Sequence, residues 1–459
     1  MKMKQNKSKK PLYYELNKLY FGEFDLLSLI ARYLGDQATN ITTPLYLYSL
    51  PAIKNNIENF RNELLKHQMT NHLICYALKA NPSKAILKKI NDLGCGADIV
   101  SGGELTTAIN AGIAPQKIVF SGVGKSQQEI DLALGLKSPG LLSFNVESIE
   151  ELQMILQRTK ELNHSAQFVW RFNPQVKAKT HKNISTGHKT HKFGLIEDDI
   201  LKGNQLLANY KKQHPNAPQV QCLGLSMHIG SQLTDFAATE KAVTAMAKLA
   251  KSFDSIFGHP IKLMDFGGGI GIPYHHQKMG LIPFKSYVAA ILAGLKKGLG
   301  GPSNFKKTFA ETQWVFEPGR SIVGNAGLLI TKVIRLKNTA GHNFVIVDGG
   351  MNDFARPALY DAHHEVYPLL KKAGKLRNCH IVGPVCETSD YFAKSRLLTK
   401  INAGDFLAIA DTGAYGISMA SFYNQRPMPA QLFFDTDQTP IHAPILVDQT
   451  GNILPPFLG

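Results

Sequence analysis

Lys79 stands at the end of the apolar run Leu73-Ile74-Cys75-Tyr76-Ala77-Leu78 and just before Ala80-Asn81-Pro82. An ammonium at the edge of a packed layer is partly desolvated, which disfavours the charged form and leaves a more nucleophilic amine. Such a lysine suits attachment of a carbonyl cofactor, although a lone lysine at a strand end can also snorkel into water. A second apolar run ends in Asp265-Phe266-Gly267-Gly268-Gly269-Ile270-Gly271, with four glycines in its last five residues. A backbone without Cβ atoms can close on an anion and aim N–H groups at it, which points to phosphate; a tight structural turn has the same composition. The GxGxxG spacing and acidic ribose partner of a dinucleotide site are missing.

Glu317-Pro318-Gly319-Arg320 follows Trp314-Val315-Phe316. Its carboxylate could pair with a protonated ring nitrogen and its guanidinium could fork onto phosphate or carboxylate, or the two could pair with each other. In Met227-His228-Ile229-Gly230-Ser231-Gln232 a flat ring could stack on a flat cofactor and a hydroxyl could bind phosphate. Cys386-Glu387-Thr388-Ser389-Asp390 sets a thiol able to donate a proton beside acids able to fix an ammonium. Arg356 and Tyr360, in Arg356-Pro357-Ala358-Leu359-Tyr360, and Tyr415, in Gly413-Ala414-Tyr415-Gly416, add donors suited to carboxylate and phosphate. The histidine-rich stretch His181 to Lys192 is irregular in spacing, which fits a mobile lid better than a metal site, and no metal is expected.

Eight short apolar runs must position these groups: Leu73–Leu78, Ala97–Val100, Lys117–Phe120, Leu141–Phe144, Gln167–Phe172, Cys222–Met227, Ile261–Phe266 and Gln313–Phe316. Helical stretches such as Glu147–Leu162 and Thr239–Phe257 lie between most of them. Strands alternating with helices imply a parallel sheet, and eight runs fit a closed (β/α)8 TIM barrel. Chemistry in that fold collects just after the strands, at the C-terminal face. Lys79, Ser101 with Glu104, Ser121, Asn145, Arg171 with Asn173, His228 with Ser231, Gly267 to Gly269, and Glu317 with Arg320 all sit there. Past Gly327 the runs are β-rich with few helices. The expected organisation is a segment 1–43 that carries a basic tail and then packs on the β domain, a barrel over 44–326, and an all-β, barrel-like domain over 327–459. Ser49 and Pro51 open a helix after the short strand Leu45-Tyr46-Leu47-Tyr48.

At 459 residues the chain exceeds one ordinary core. Its five scattered cysteines include no CxxC pair, a reduced, cytoplasmic inventory rather than a disulfide framework. No apolar run reaches a membrane span, and Met1 to Lys10 is basic and polar without the apolar core of a signal peptide. The formal charge of +16 is scattered and accompanied by no nucleic-acid recognition motif, so it bears on attraction of anionic small molecules.

Taken in order, Tyr76 to Asn81, Gly96 to Leu105, His228 to Gln232, the glycine run, Glu317 to Arg320, Met351 to Pro357, Cys386-Glu387 and Gly413 to Tyr415 resemble the diaminopimelate decarboxylases. These are fold-type III pyridoxal-phosphate enzymes of the class-II ornithine/lysine/arginine decarboxylase family. The resemblance covers roughly Thr43 to Arg426 and implies an alanine-racemase-like barrel, a C-terminal β domain and a homodimer with shared active sites. It implies Lys79 as the Schiff-base lysine, His228 on the pyridine ring and Glu317 on its nitrogen. Ser231, Gly267, Gly268, Gly269 and the backbone of Glu317, Pro318, Gly319 and Arg320 would hold the phosphate. Arg320, Arg356 and Tyr360 would meet a substrate carboxylate and Glu387 the distal amine. Tyr415 would touch cofactor or substrate, and Cys386 would donate a proton. The implied reaction is decarboxylation of meso-2,6-diaminopimelate to L-lysine, the last step of lysine biosynthesis. Ornithine and arginine decarboxylases share the lysine, histidine and Glu-Pro-Gly-Arg features but are matched less well by Arg356 to Tyr360 and Cys386-Glu387. The basic stretch Met1 to Lys10 has no counterpart in the family pattern.

Overall fold

The structure, a computed structural model, describes residues 12–34, 42–137, 140–176, 192–276, 281–301, 305, 308–435, 445–447 and 453–454. The basic tail and the histidine-rich stretch up to His191 lie outside them. Among the described residues no helix is long and apolar enough to cross a membrane.

Three short antiparallel strands come first, β1 (Leu12–Glu15), β2 (Lys18–Phe21) and β3 (Phe24–Asp25). Asp25 caps the following helix, Leu26–Tyr33, by accepting from the N–H groups of Leu27 and Ser28. That helix buries Leu26, Ile30 and Tyr33 against Leu45, Leu47, Leu328, Ile330 and Phe434. β4 (Leu45–Ser49) is buried along its whole length, and Ser49 Oγ caps the helix Leu50–Lys66 through Ala52 N–H at 3.2 Å.

The barrel is closed by eight parallel strands in chain order: β5 (His72–Ala77), β6 (Gly96–Ile99), β7 (Ile118–Phe120), β8 (Ser143–Val146), β9 (Ala166–Arg171), β10 (Val220–Ser226), β11 (Leu263–Asp265) and β12 (Gln313–Phe316). β12 returns to β5 with Trp314 opposite His72. Leu73, Cys75, Val119, Val169, Leu223, Leu263 and Val315 form one packed layer, so the centre is core rather than pore. β7 starts later than the sequence suggests because Pro115–Lys117 forms a 3-10 turn. Serine hydroxyls begin the helices behind the strands: Ser101 caps Gly102–Asn110, Ser126 forms a capping box with Glu129, and Ser148 caps Ile149–Leu162. Each cap fixes where a βα loop stops, which in turn fixes the side chains of that loop.

The chain then enters β13 (Gly327–Thr339), β14 (His342–Val347), β15 (Val366–Pro368), β16 (Arg377–Val382), β17 (Tyr391–Leu398), β18 (Phe406–Ile409), β19 (Ala430–Phe434), β20 (Ile445–Val447) and β21 (Ile453–Leu454). With β4 they make a ten-stranded sheet that branches at β13, whose first half pairs β4 and β18 and whose second half pairs β14. Two compact units result: 57–272 with 282–321, and 1–56 with 273–281 and 322–459. This corrects the expected barrel bounds of 44 and 326. β4 lies between β13, antiparallel, and β19, parallel, and a strand with both edges hydrogen-bonded and both faces buried belongs to that sheet. The segment 273–281 is the second departure, since it interrupts the barrel unit yet belongs to the β-rich one.

Candidate active site

β5 delivers Lys79 on a single 3-10 turn, Leu78–Ala80, which ends before Pro82. Pro318 C=O accepts from Ala77 N–H at 3.2 Å, and a Cβ at Gly319 would come within 3.1 Å of both Ala77 Cβ and Ala80 Cβ. The Pro318-Gly319 backbone thus packs directly on the lysine turn. Lys79 Nζ lies 2.9 Å from Asp98 Oδ2, whose side chain is fully buried while the lysine is 39% exposed. Sequence reasoning expected a partly desolvated amine with its charged form disfavoured. The structure leaves the side chain well exposed and gives it a buried counter-ion from β6, which favours the ammonium. Asp98 Oδ1 is buried without a hydrogen-bond partner, so the polar pocket around Lys79 has acceptor capacity to spare.

His228 follows β10. Its Nδ1 accepts from Gly268 N–H at 3.3 Å, which fixes a neutral ring with the proton on Nε2. Burial, with the nearby Lys79 and Arg171 charges, holds the imidazole well below its ordinary pKa. The glycine turn beyond β11 is equally constrained. Gly267 and Gly269 have φ of +64° and +85°, and a Cβ on Gly268 or Gly269 would lie 2.0 Å from Glu317 O or 2.1 Å from Gly230 O. Only glycine fits there. The buried Tyr287 hydroxyl donates to Phe266 O and Gly267 O from behind. Close by, Arg320 Nη2 donates to Ser231 Oγ at 3.1 Å, so a guanidinium and a hydroxyl join the glycine backbone as anion donors.

Glu317 leaves β12 into a buried polar cluster. Ser121 Oγ and Asn145 Nδ2 lie 3.3 and 3.1 Å from its Oε1. Asn145 also reaches Asp265 Oδ2 at 3.3 Å, and Asp265 Oδ1 accepts from Gly267 N–H at 2.8 Å. Burial and the neighbouring Asp265 charge raise the Glu317 carboxyl well above its usual range. Two ion pairs brace these loops. Arg171 meets Glu147 at 2.6 Å, and the buried Lys125 meets Glu151 at 2.8 Å while donating to Asn145 O and Gly122 O. The barrel unit therefore brings together Lys79, His228, Ser231, Gly267, Gly268, Gly269, Glu317, Pro318, Gly319 and Arg320. Asp98, Asp265 and Glu147 went unselected by sequence reasoning. Asp98 and Asp265 lie inside strands rather than after them, and the signal that could have found them is an acid interrupting an apolar run that must face a closed core.

In the β-rich unit, Arg356 and Tyr360 share the helix Arg356–Tyr360. Arg356 is buried, donates to His364 Nε2 at 2.7 Å and lies 4.8 Å from the Tyr274 ring centroid. His364 Nδ1 in turn donates to Ala410 O. Tyr274, His275 and His276 come from the 273–281 segment, a contribution that nothing in the sequence marked. Cys386 and Glu387 lie on an exposed turn, and Glu387 accepts from Tyr423 OH at 2.6 Å and Ser389 Oγ at 3.1 Å. Asp390 is buried and spent on the backbone N–H groups of Val385 and Met351, so it anchors the turn rather than awaiting an ammonium. Tyr415, with φ of 58°, follows β18. His275, His363 and Glu365 offer a possible metal-ligand geometry. Arg396 donates to His363 Nδ1 at 2.6 Å, however, which leaves the ring proton on Nε2 facing Glu365; that polarity and the guanidinium oppose a cation.

The glycine cradle, its arginine and hydroxyl, and a lysine beside spare acceptor capacity fit a phosphorylated carbonyl cofactor. A pyridoxal-dependent decarboxylase, pyridoxal-binding domain matches residues 52–324. Diaminopimelate decarboxylase from Helicobacter pylori strain J99 is 43% identical over 391 residues, 85% of this chain and 90% of the relative. The one from Aquifex aeolicus is 40% identical over 402 residues, 88% and 89% of the two chains. Among solved structures, diaminopimelate decarboxylase from M. jannaschii in complex with L-lysine superposes with a TM-score of 0.82 at 33% identity, covering 97% of this chain and 98% of that one. The chain belongs to the diaminopimelate decarboxylase family of pyridoxal-dependent decarboxylases.

Proposed function

We propose that this chain binds pyridoxal 5'-phosphate through Lys79 and decarboxylates meso-2,6-diaminopimelate to L-lysine and carbon dioxide, the last step of lysine biosynthesis. The observation that carries this reading is the meeting, at one barrel face, of a lysine with a buried counter-ion, a neutral imidazole, a buried carboxyl and a glycine cradle with its own arginine. When bound, the cofactor supplies an electron sink for the pair left by departing carbon dioxide.

The chain's own residues do the rest. Asp98 steers the Lys79 amine, and His228 presents an uncharged face that leaves cofactor electronics to Glu317. Gly267, Gly268, Gly269, Ser231 and Arg320 hold the phosphate, with the backbone of Glu317, Pro318 and Gly319 closing the cradle. Arg320, Arg356 and Tyr360 take the substrate carboxylate, Glu387 takes the distal ammonium, and Tyr415 touches cofactor or substrate. Cys386 returns a proton to the carbon that has lost carbon dioxide. The reading includes a homodimer in which Cys386 and Glu387 serve the partner's site, supported by the exposure of both on the single chain. A cytoplasmic home is part of it, in keeping with five cysteines free of disulfides.

The test is the near-visible absorbance of lysine-bound cofactor, together with carbon dioxide release from meso-diaminopimelate, ornithine, lysine and arginine. The expected result is a band lost in Lys79→Ala and release from meso-diaminopimelate. A band that survives that substitution, or release from ornithine alone, overturns the reading.

A further inference from the structure

Asp265, the last residue of β11, has no part in the function proposed above, yet it is wholly buried within the same cluster. Its Oδ1 accepts from Gly267 N–H at 2.8 Å and its Oδ2 from Asn145 Nδ2 at 3.3 Å. The same Asn145 amide reaches Glu317 Oε1 at 3.1 Å and Ser121 Oγ at 3.0 Å. Two carboxyl groups thus share one amide in a region closed to water. A second buried carboxylate beside the first is unfavourable unless the pair keeps a proton between them.

Holding the glycine turn does not require a charge, since an asparagine at 265 could accept from Gly267 N–H equally well. What asparagine cannot supply is the negative charge. The donors are distributed accordingly. Both Asp265 oxygens accept, Oδ1 from Gly267 N–H and Oδ2 from Asn145, as in an ionised acid. Both donors to Glu317, Ser121 Oγ and Asn145 Nδ2, meet Oε1, which leaves Oε2 to carry the shared proton. Burial and the Asp265 charge, with Asp98 adding to them and Lys79 opposing, raise the Glu317 carboxyl, in agreement with that assignment.

We infer that Asp265 is a positioning residue whose charge keeps a proton on Glu317 and, through Glu317, on the ring nitrogen of the bound cofactor. The inference rests on the reading of Glu317 given under Proposed function. The balance is one proton: with the cofactor bound, Glu317 would hold it toward the ring nitrogen, while the Asp265 charge next to it opposes its loss to water. No other reactant is required.

The experiment loads wild type, D265N, E317Q and the double variant with ring-15N-labelled pyridoxal phosphate and follows the nitrogen resonance with pH. In wild type the nitrogen stays at its protonated position across the neutral range. In D265N the change to the unprotonated position moves to lower pH by about one unit or more, the effect of losing one adjacent buried charge. E317Q holds the unprotonated position throughout, and the double variant follows E317Q. A D265N profile that overlays wild type while E317Q is shifted overturns the role of Asp265. An unshifted E317Q overturns the reading of Glu317 itself. Where D265N does not take up cofactor, infrared difference spectra of the cofactor-free full-length chains decide. A protonated carboxyl stretch at neutral pH in wild type, absent from E317Q, supports the shared proton, and its absence from wild type overturns it.

Discussion

His228 is a neutral ring whose Nδ1 is committed to Gly268 N–H, and this contributes to the barrel's sensitivity to acid. Its folded pKa lies well below the ordinary 6.5. As pH falls past 6.5 the unfolded ring takes a proton that the folded ring refuses, so stability is present above that value and is lost on acidification. Urea midpoints measured from pH 7 down to pH 5 should fall for wild type, and less steeply for His228→Gln. Cys386 belongs to a different kind of test, because it is an exposed free thiol. Cys386→Ala should lower kcat by roughly 10²–10⁴, the range for loss of a proton donor, with the thermal midpoint unchanged. At this scale much was legible: Lys79, His228, Glu317 and Arg320 sit just beyond apolar runs, where a barrel must put its chemistry. Asp98 and Asp265 were not legible, because within strands of only four and three residues the alternation of faces cannot tell an acid that points inward from one at a frayed end.

The glycine turn is the element that most narrowly decides function. A Cβ at Gly268 would stand 2.0 Å from the carbonyl oxygen of Glu317, so Gly268→Ala must part the loops after β11 and β12. Cofactor affinity should fall tenfold or more in titrations of the cofactor-free protein, while far-ultraviolet circular dichroism is retained. A control lies in the helix pair Ala237–Lys251 and Phe284–Leu299, where a Cβ at Gly294 would lie 2.7 Å from Val243 Cβ. Gly294→Leu should cost about 1–3 kcal/mol of stability through overpacking and leave cofactor affinity alone. Elements whose partners are near in sequence were legible from local pattern, as the helix capped by Ser49 was. β4 and Tyr274 to His276 escaped that reading. β4 depends on strands hundreds of residues away, and Tyr274 to His276 on partners such as Tyr367 and Asp411, 91 and 135 residues from His276. An apolar pentapeptide such as Leu45–Ser49 carries no mark of which sheet will claim it.

For the molecule as a whole, a formal charge of +16 should draw the anionic cofactor toward the protein. Stopped-flow association of pyridoxal phosphate with the cofactor-free chain should slow severalfold between about 0.05 and 0.5 M salt, as screening shortens the reach of that field. A homodimer with shared sites predicts that inactive Lys79→Ala and Cys386→Ala chains regain activity when mixed, to about a quarter of wild-type sites by random pairing. Recovery of nothing would place each site within one chain.

β4 also has a consequence during synthesis. Leu45 pairs with Ile330 on one side and with Ala430 on the other, so one of the first strands made waits for nearly the last. At roughly 5–20 residues per second that delay is tens of seconds, during which the barrel strands from β5 to β12 have all emerged. A nascent chain therefore carries an apolar strand with bare edges alongside a barrel that is free to close. Termination before Ala430 would leave that strand permanently half-paired, and such fragments should be captured by chaperones or aggregate even where their barrel is intact.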